Sequence, residues 1–333
     1  MRGQVTYSLF LSFKLSFFPG PQYLMASSPS SVHECILKVA MRALDRDLYN
    51  IPVSKDIVSF KALPNHFHES DSLYAVPDLA VRMWSCNHKG ICSARTIWML
   101  ESAFSQSDTD MMDKLREYVH DLPHLLVVGK ILICQAIPYH KPTPNSAMTA
   151  QLREAWLMDE GQFAGNFGSS TGYSQIVASG HPWLSLKSVE IHVWTHEPGG
   201  GPIDVDSSHQ AGYAFGTIFP TVDLDSVNNT LSCGRELTKE AILELNVPDA
   251  DQRSLDCAVF WTPHAHILEP EDCVRALMDG AWATAFRRYR VFHRELLNLH
   301  PRPHRRRHQP RKPHENYLPN NDHVAAPVGE VAG

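Results

Sequence analysis

Long apolar runs are missing from this chain. No stretch approaches the roughly 18 apolar residues that a bilayer span needs, so no membrane partner is expected. Excess positive charge is missing too: 30 Lys and Arg stand against 36 Asp and Glu, a formal net charge of −6. That excludes a protein that coats nucleic acid by its overall field, though a local basic patch is hidden in such a sum. Cysteine is scarce, odd in number and irregular in spacing, at Cys35, Cys86, Cys92, Cys134, Cys233, Cys257 and Cys273. This argues against a disulfide scaffold and for a reduced intracellular protein, nuclear or cytoplasmic. Cys86, His88 and Cys92 have no evident fourth metal ligand, so their loop reads as polar with incidental cysteines. The Gly- and Ser-rich stretch 161–180 lacks the Lys-Ser/Thr ending of a phosphate loop, and no nucleotide site is assigned to it. At the start, Leu9, Phe10, Leu11 and Phe13 follow Arg2, but Lys14 interrupts them and no small-residue cleavage pattern follows. Residues 1–30 therefore read as a disordered leader.

What is present is an ordinary globular balance, 43% hydrophobic and 20% charged. The densest pattern runs from Leu73 to Ile133. Residues 79–84 have strand character, Ile97 to Leu100 is a short apolar run closing on Glu101, and Leu125 to Ile133 is a buried type of strand broken by Gly129 and Lys130. Between the last two lies a helix, capped by Ser107 or Asp108 with Asp110 in its first turn. Met111, Leu115 and Tyr118 share one face of it, and Pro123 ends it. Asp110 and Lys114 sit four apart, a spacing that suits a surface pair. Asp78 opens one strand and Glu101 closes the next. Most acids at strand ends are solvated loop-edge residues, but two fixed carboxylates on adjacent strands suit a hard divalent cation such as Mg²⁺ or Mn²⁺. Such an ion activates water and neutralises charge on a phosphodiester.

Pro77-Asp78, a spacer, the apolar run into Glu101, then Ser105-Gln106-Ser107 and a helix resemble the PD-(D/E)XK nuclease superfamily. The set looks most like an uncharacterised fungal branch. It is also similar to a bacterial branch with a Glu-x-x-Ser-Pro-Ser signature and a later helical Lys. The resemblance implies an α/β fold with a restriction-endonuclease-like core, a central mixed sheet flanked by helices. It implies metal-dependent hydrolysis of phosphodiester bonds in nucleic acid, with Asp78 and Glu101 as metal ligands and Gln106 near the site. An acid on the first helix supports the metal in resembling nucleases; Glu34 holds that place, with helix capping as its plainer role. The family sets a Lys two residues after the Glu, and here that position is Ala103. Lys114, on the following helix, is the matching candidate to orient water or the phosphate, and an ordinary surface lysine paired with Asp110 is the alternative. Lys130 is the next candidate.

The remaining chain is less informative. Ser30 or Ser31 opens a helix with Ile36, Val39, Ala40 and Ala43 on one face. Residues 51–63 read as one strand and 73–84 as the next. An irregular insertion is expected near 140–185, then strands at Val189–Trp194 and Tyr213–Phe219, a short helix at 237–245, and a long one at 270–299. The division expected is a nuclease-like core over 31–235, a helical extension over 236–299 and a basic, disordered tail over 300–333. Two other functions remain open: a catalytically degenerate copy of the fold serving as a binding or structural module, and an unrelated interaction protein in which the motif is coincidental. The oligomeric state is left open by the sequence. In the tail, Arg305, Arg306, Arg307, Arg311 and Lys312 suit phosphate contacts or nuclear import, and a solvated appendage is the alternative. If the tail binds nucleic acid, truncation after Leu299 flattens the log–log salt dependence of binding by about one unit for each phosphate that the tail neutralises. Unchanged salt slope and cellular location in the truncated protein would reduce the tail to that appendage.

Overall fold

The computed structural model describes residues 14–18, 23–27, 30–69, 74–86, 92–104, 107–165, 174–197, 201–209, 211–245 and 249–299. Strands β1 (Lys14–Phe18) and β2 (Tyr23–Ser27) come first, then α1 (Ser31–Tyr49) and β3 (Val58–Pro64). Two short strands, β4 (His68–Glu69) and β5 (Tyr74–Ala75), precede β6 (Leu79–Cys86) and β7 (Cys92–Phe104). Helix α2 (Asp108–Asp121) leads to β8 (Val127–Gln135). Then come α3 (Ala147–Glu154), α4 (Glu160–Gly165), β9 (Gln175–Ala178), β10 (His181–Thr195) and β11 (Tyr213–Phe219). Helices α5 (Asp225–Leu243), α6 (Asp249–Asp256) and α7 (Pro270–Leu299) complete the order.

The main sheet runs β11-β10-β8-β7-β6-β3, with β9 paired to β10. Strands β3, β6 and β7 form an antiparallel meander, β7 and β8 are parallel, and β8, β10 and β11 are antiparallel again. A parallel pair needs a crossover, which α2 supplies. The fold is thus α/β, a mixed sheet with helices on both faces. One face is covered by α1, α5 and α7, packed on Trp98, Leu100, Val127, Ile131, Val189 and Ile191. The other carries α2, whose Leu115 and Tyr118 pack on Met99, Val128 and Trp194. Alternation along each strand explains the division, since successive side chains point to opposite faces.

Several elements differ from the sequence expectation. The leader contains β1 and β2, which pair with each other, and β1 also pairs with β5; its Leu- and Phe-bearing sequence suits strand pairing. Residues 51–57 do not belong to a strand. Their backbone turns through Val53 N–H to Ile51 O and Ile57 N–H to Ser54 O, and Ser254 Oγ accepts from Ser54 N–H. Helix α5 begins at Asp225, well before the expected Leu237. Its first half holds Asn228, Asn229 and Gly234, poor helix formers, and packing sets the places of Asn228 and Gly234. Asn228 is buried and pairs both ways with the Leu268 backbone, and a Cβ on Gly234 would run into Val127 and Trp98. Cys86 and Cys92, expected to be incidental, are opposite each other in the β6–β7 register and joined as a disulfide. Among the described residues, no helix is long and apolar enough to cross a membrane.

Inside the first layer, Arg235 of α5 donates to Asp47 Oδ2 of α1 at 2.8 Å and to the carbonyls of His264 and Ala265. Both side chains are 1% exposed. The pair thus ties two helices to the segment before α7. Asp47→Ala leaves a guanidinium buried without its counter-charge, and is expected to lower unfolding free energy by about 3–5 kcal/mol. Urea denaturation checks this; a loss under about 1 kcal/mol would mean that the carbonyls alone satisfy Arg235.

Candidate active site

Pro77 breaks the chain between β5 and β6, and Asp78 follows it directly before the first residue of β6. Leu79 pairs with Leu100, so one step outward Asp78 comes opposite Glu101 at the open corner of the meander. Both carboxylates are buried, Asp78 at 6% and Glu101 at 1% exposure. Backbone alternation turns Met99, Glu101 and Ala103 towards α2. The parallel register sets Lys130 of β8 beside Glu101, and His192 of β10 beside Lys130. One row across the sheet therefore carries acid, cation and imidazole.

Glu101 is met by two groups from α2. Tyr118 OH donates to Oε1 at 2.6 Å, and the Lys114 ammonium lies 2.7 Å from the same oxygen. Positions 111, 114, 115 and 118 follow helical spacing, so the apolar contacts that dock α2 also carry Lys114 inward. The surface pair of Lys114 with Asp110 is thereby corrected: Lys114 is buried among Met111, Leu115 and Tyr118. Burial pushes the Glu101 carboxyl up to about 7, Lys114 pulls it down, and the neighbouring charge of Asp78 pushes it up again. Ala103, two residues after Glu101, packs with Met111 and Leu132.

Asp78 is held from two directions. Ser102 N–H donates to Oδ2 at 2.8 Å, and His33 Nε2 lies 3.2 Å from the same atom. His33 sits in the first turn of α1, where its backbone N–H donates to the Ser30 cap. Glu34 lies next to it and pairs with Lys38 at 2.9 Å on the helix surface, lining the same cleft as Asp78. His33 and Tyr118 were not singled out from the sequence. A histidine in a first helical turn carries no signal of its own, and Tyr118 counted as one of an apolar stripe.

Lys130 reaches Asp108 in the first turn of α2 at 2.6 Å. His192 donates to or accepts from Tyr213 OH through Nδ1 at 2.9 Å. Burial and the Lys130 charge push its pKa down to about 4, so its imidazole is neutral at physiological pH. Gln106 and the basic residues Arg305, Arg306, Arg307, Arg311 and Lys312 lie outside the described residues.

The donor chemistry at the corner fits a hard cation in number: Mg²⁺ is commonly held by one or two carboxylates, with water and substrate oxygens completing the shell. Asp78 and Glu101 are the residues that would hold it. Among the described residues no cluster of three or more His, Cys, Asp or Glu side chains is arranged around a common point for an ion. No family model matches the chain, and no curated protein or solved structure is similar to it at a significant level.

The raised Glu101 pKa has a thermodynamic consequence. The folded chain binds this proton more tightly than the unfolded chain, whose carboxyl keeps its usual value near 4.5. Between about 4.5 and about 7 the native state therefore holds more protons, and this group makes stability fall as pH rises. Glu101→Gln removes the dependence. Urea denaturation across that window should show wild type losing stability relative to the variant as pH increases. Parallel curves would place the Glu101 pKa at its ordinary value.

Proposed function

We propose that the chain is a metal-dependent nuclease-like protein that hydrolyses phosphodiester bonds in nucleic acid. The observation that carries this reading is the place of Lys114. Its ammonium comes from the helix after the Glu strand and lies against Glu101, in the corner that Ala103 leaves without a lysine. An acid directly before β6, an acid within the antiparallel β7, then a helix and the parallel β8 support the reading of a restriction-endonuclease-like core.

In this reading a Mg²⁺ or Mn²⁺ ion on Asp78 and Glu101 supplies charge neutralisation and a more acidic water. The chain's own groups do the rest. Ser102 N–H and His33 fix the Asp78 carboxylate, and Tyr118 fixes that of Glu101. Lys114 holds positive charge beside the carboxylates, placed to meet a phosphate oxygen as charge develops on it. Burial excludes water and strengthens each of these contacts.

A second reading, a degenerate copy of the fold acting as a binding or structural module, is favoured by one feature. The Lys114–Glu101 pair already neutralises one of the two acids. Cleavage assays on mixed DNA and RNA with Mg²⁺ and Mn²⁺ decide between the two. Turnover should vanish in Asp78→Ala and fall about 10²-fold to 10³-fold in Lys114→Ala, with Mn²⁺ binding retained in the latter. A wild type inert with every metal and substrate, and binding no Mn²⁺, would leave the module reading standing.

A further inference from the structure

On the sheet face away from α1, β3 and β6 carry a pair of positive charges that the proposed chemistry does not use. Val58 and Ala62 of β3 and Leu79, Val81 and Met83 of β6 are buried in the core with α1. Strand alternation therefore turns Lys61, Arg82 and Trp84 to the opposite face, the one that carries Glu101. Lys61 and Arg82 are direct partners in the antiparallel register. Like charges set opposite each other in a ladder are destabilising.

Among the described residues no carboxylate pairs with either of them. Lys61 is exposed and makes no hydrogen bond or ion pair there. Arg82 has five N–H donors and makes one hydrogen bond there, from Nη1 to His66 Nε2 at 2.8 Å. Its guanidinium also lies 5.3 Å from the centre of the Trp84 ring. Burial lowers the His66 pKa, and the neighbouring Arg82 and His68 lower it further, so this ring meets Arg82 as a neutral acceptor. Asp121, at the end of α2, lies 3.4 Å from His68 instead. A lysine on an edge strand also guards against pairing with other chains. That accounts for Lys61 but not for Arg82, whose strand is paired on both sides, with β3 and with β7.

Two cations side by side without counter-charge call for an anion that spans both. We propose that Lys61 and Arg82 hold the phosphate backbone of the nucleic acid whose scissile phosphate lies at Asp78. This rests on the phosphodiester reading of the acid pair. Arg82 follows Asp78 by four residues along β6, about 13 Å at roughly 3.3 Å per residue. Successive phosphates of a strand advance about 3.4 Å along a duplex axis, so the pair meets the backbone about four nucleotides from the acids. The guanidinium fork suits a phosphate through two parallel N–H groups, and Lys61 adds a compact charge on a flexible stem. Phosphate contacts position a strand and read no base, so the patch gives affinity without sequence preference.

The test is the salt dependence of binding, read by fluorescence anisotropy on short labelled DNA and RNA duplexes with Ca²⁺ as the cation. Lys61→Gln and Arg82→Gln should each flatten the log–log slope by about 0.9, and the double variant by about 1.8. Arg82→Lys keeps the charge and should keep the slope. Wild-type slopes in both Gln variants, no binding of either duplex by wild type, or a slope as flat in Arg82→Lys as in Arg82→Gln would overturn the inference. Displacement of the duplex by polyglutamate as readily as by unlabelled duplex of equal charge would assign the patch to an acidic protein and overturn it too. Cleavage with Mg²⁺ or Mn²⁺ separates the inference from its premise. A wild type that cleaves, with variants that keep its slope, retains the nuclease reading and loses the backbone site. Flattened slopes in a protein that cleaves nothing retain the backbone site and remove the nuclease reading.

Discussion

The parallel pairing of β7 with β8 is the constraint on which the rest of the molecule turns. Two parallel neighbours cannot be joined by a tight turn, so the chain must cross one face of the sheet to return. Helix α2 makes that crossing, and its docking face is set by Met111, Leu115 and Tyr118. Because Lys114 falls at the same helical spacing, it is carried under the helix with them. Glu101, pointing to that face by strand alternation, meets it there. The contact between the two is thus a product of topology: a shift of one residue in β7 would turn Glu101 to the other face and put Ser102 beneath α2.

Two buried charge pairs show how differently the two faces are used. Arg235 and Asp47, between α5 and α1, are joined by two carbonyls, and the guanidinium is held on several sides. That arrangement fixes helices and leaves nothing over. Glu101 and Lys114 are joined by one phenol, and a second carboxylate lies close enough to raise the Glu101 pKa. Lys114 meets Glu101, while Asp78 has only an imidazole and a backbone N–H as its named partners, so the two acids are unequally compensated. In a buried corner such an imbalance either shifts proton occupancy or attracts a cation. The fully compensated pair therefore lies under α1, α5 and α7, and the pair with a raised carboxyl pKa lies under α2.

Much of this was legible in the sequence where local signals and tertiary packing agree. The Ser107 cap and apolar spacing gave α2 nearly to the residue, the strand expected at Tyr213–Phe219 is β11, and alternation over Val189–Trp194 found the second half of β10. Helix α7 likewise carries its own periodicity from Pro270 to Leu299. Legibility failed where packing overrides propensity. The first half of α5 is helical because Gly234 lets it approach Trp98 and because Asn228 is tied to Leu268. Of the candidate site, Asp78, Glu101 and Lys114 were visible as residue types, but not the partner of Lys114. Spacing of four offered Asp110, whereas the docking of α2 on β7 gives Lys114 the buried Glu101 as its partner. His33 was invisible, since it acts through a helix N-terminus brought to the corner by the α1–α7 packing.

That packing has a further bearing on the acids. Val32 N–H donates to Thr284 Oγ1 at 3.0 Å, and a Cβ on Gly280 would strike Cys35 and the Ser31 carbonyl, so the first turn of α1 is pinned tightly to α7. His33 is the next residue, and its Nε2 is thereby kept at Asp78. Asp78 is held by a rigid helix pair on one side and by the backbone of β7 on the other, whereas Glu101 is held by the long, flexible side chain of Lys114 and by Tyr118. One carboxylate is fixed by elements and the other by side chains. A ligand arriving at this corner would therefore find Asp78 already placed, and would do its rearranging at Glu101 and Lys114, where rotation about side-chain bonds is enough and no backbone needs to move.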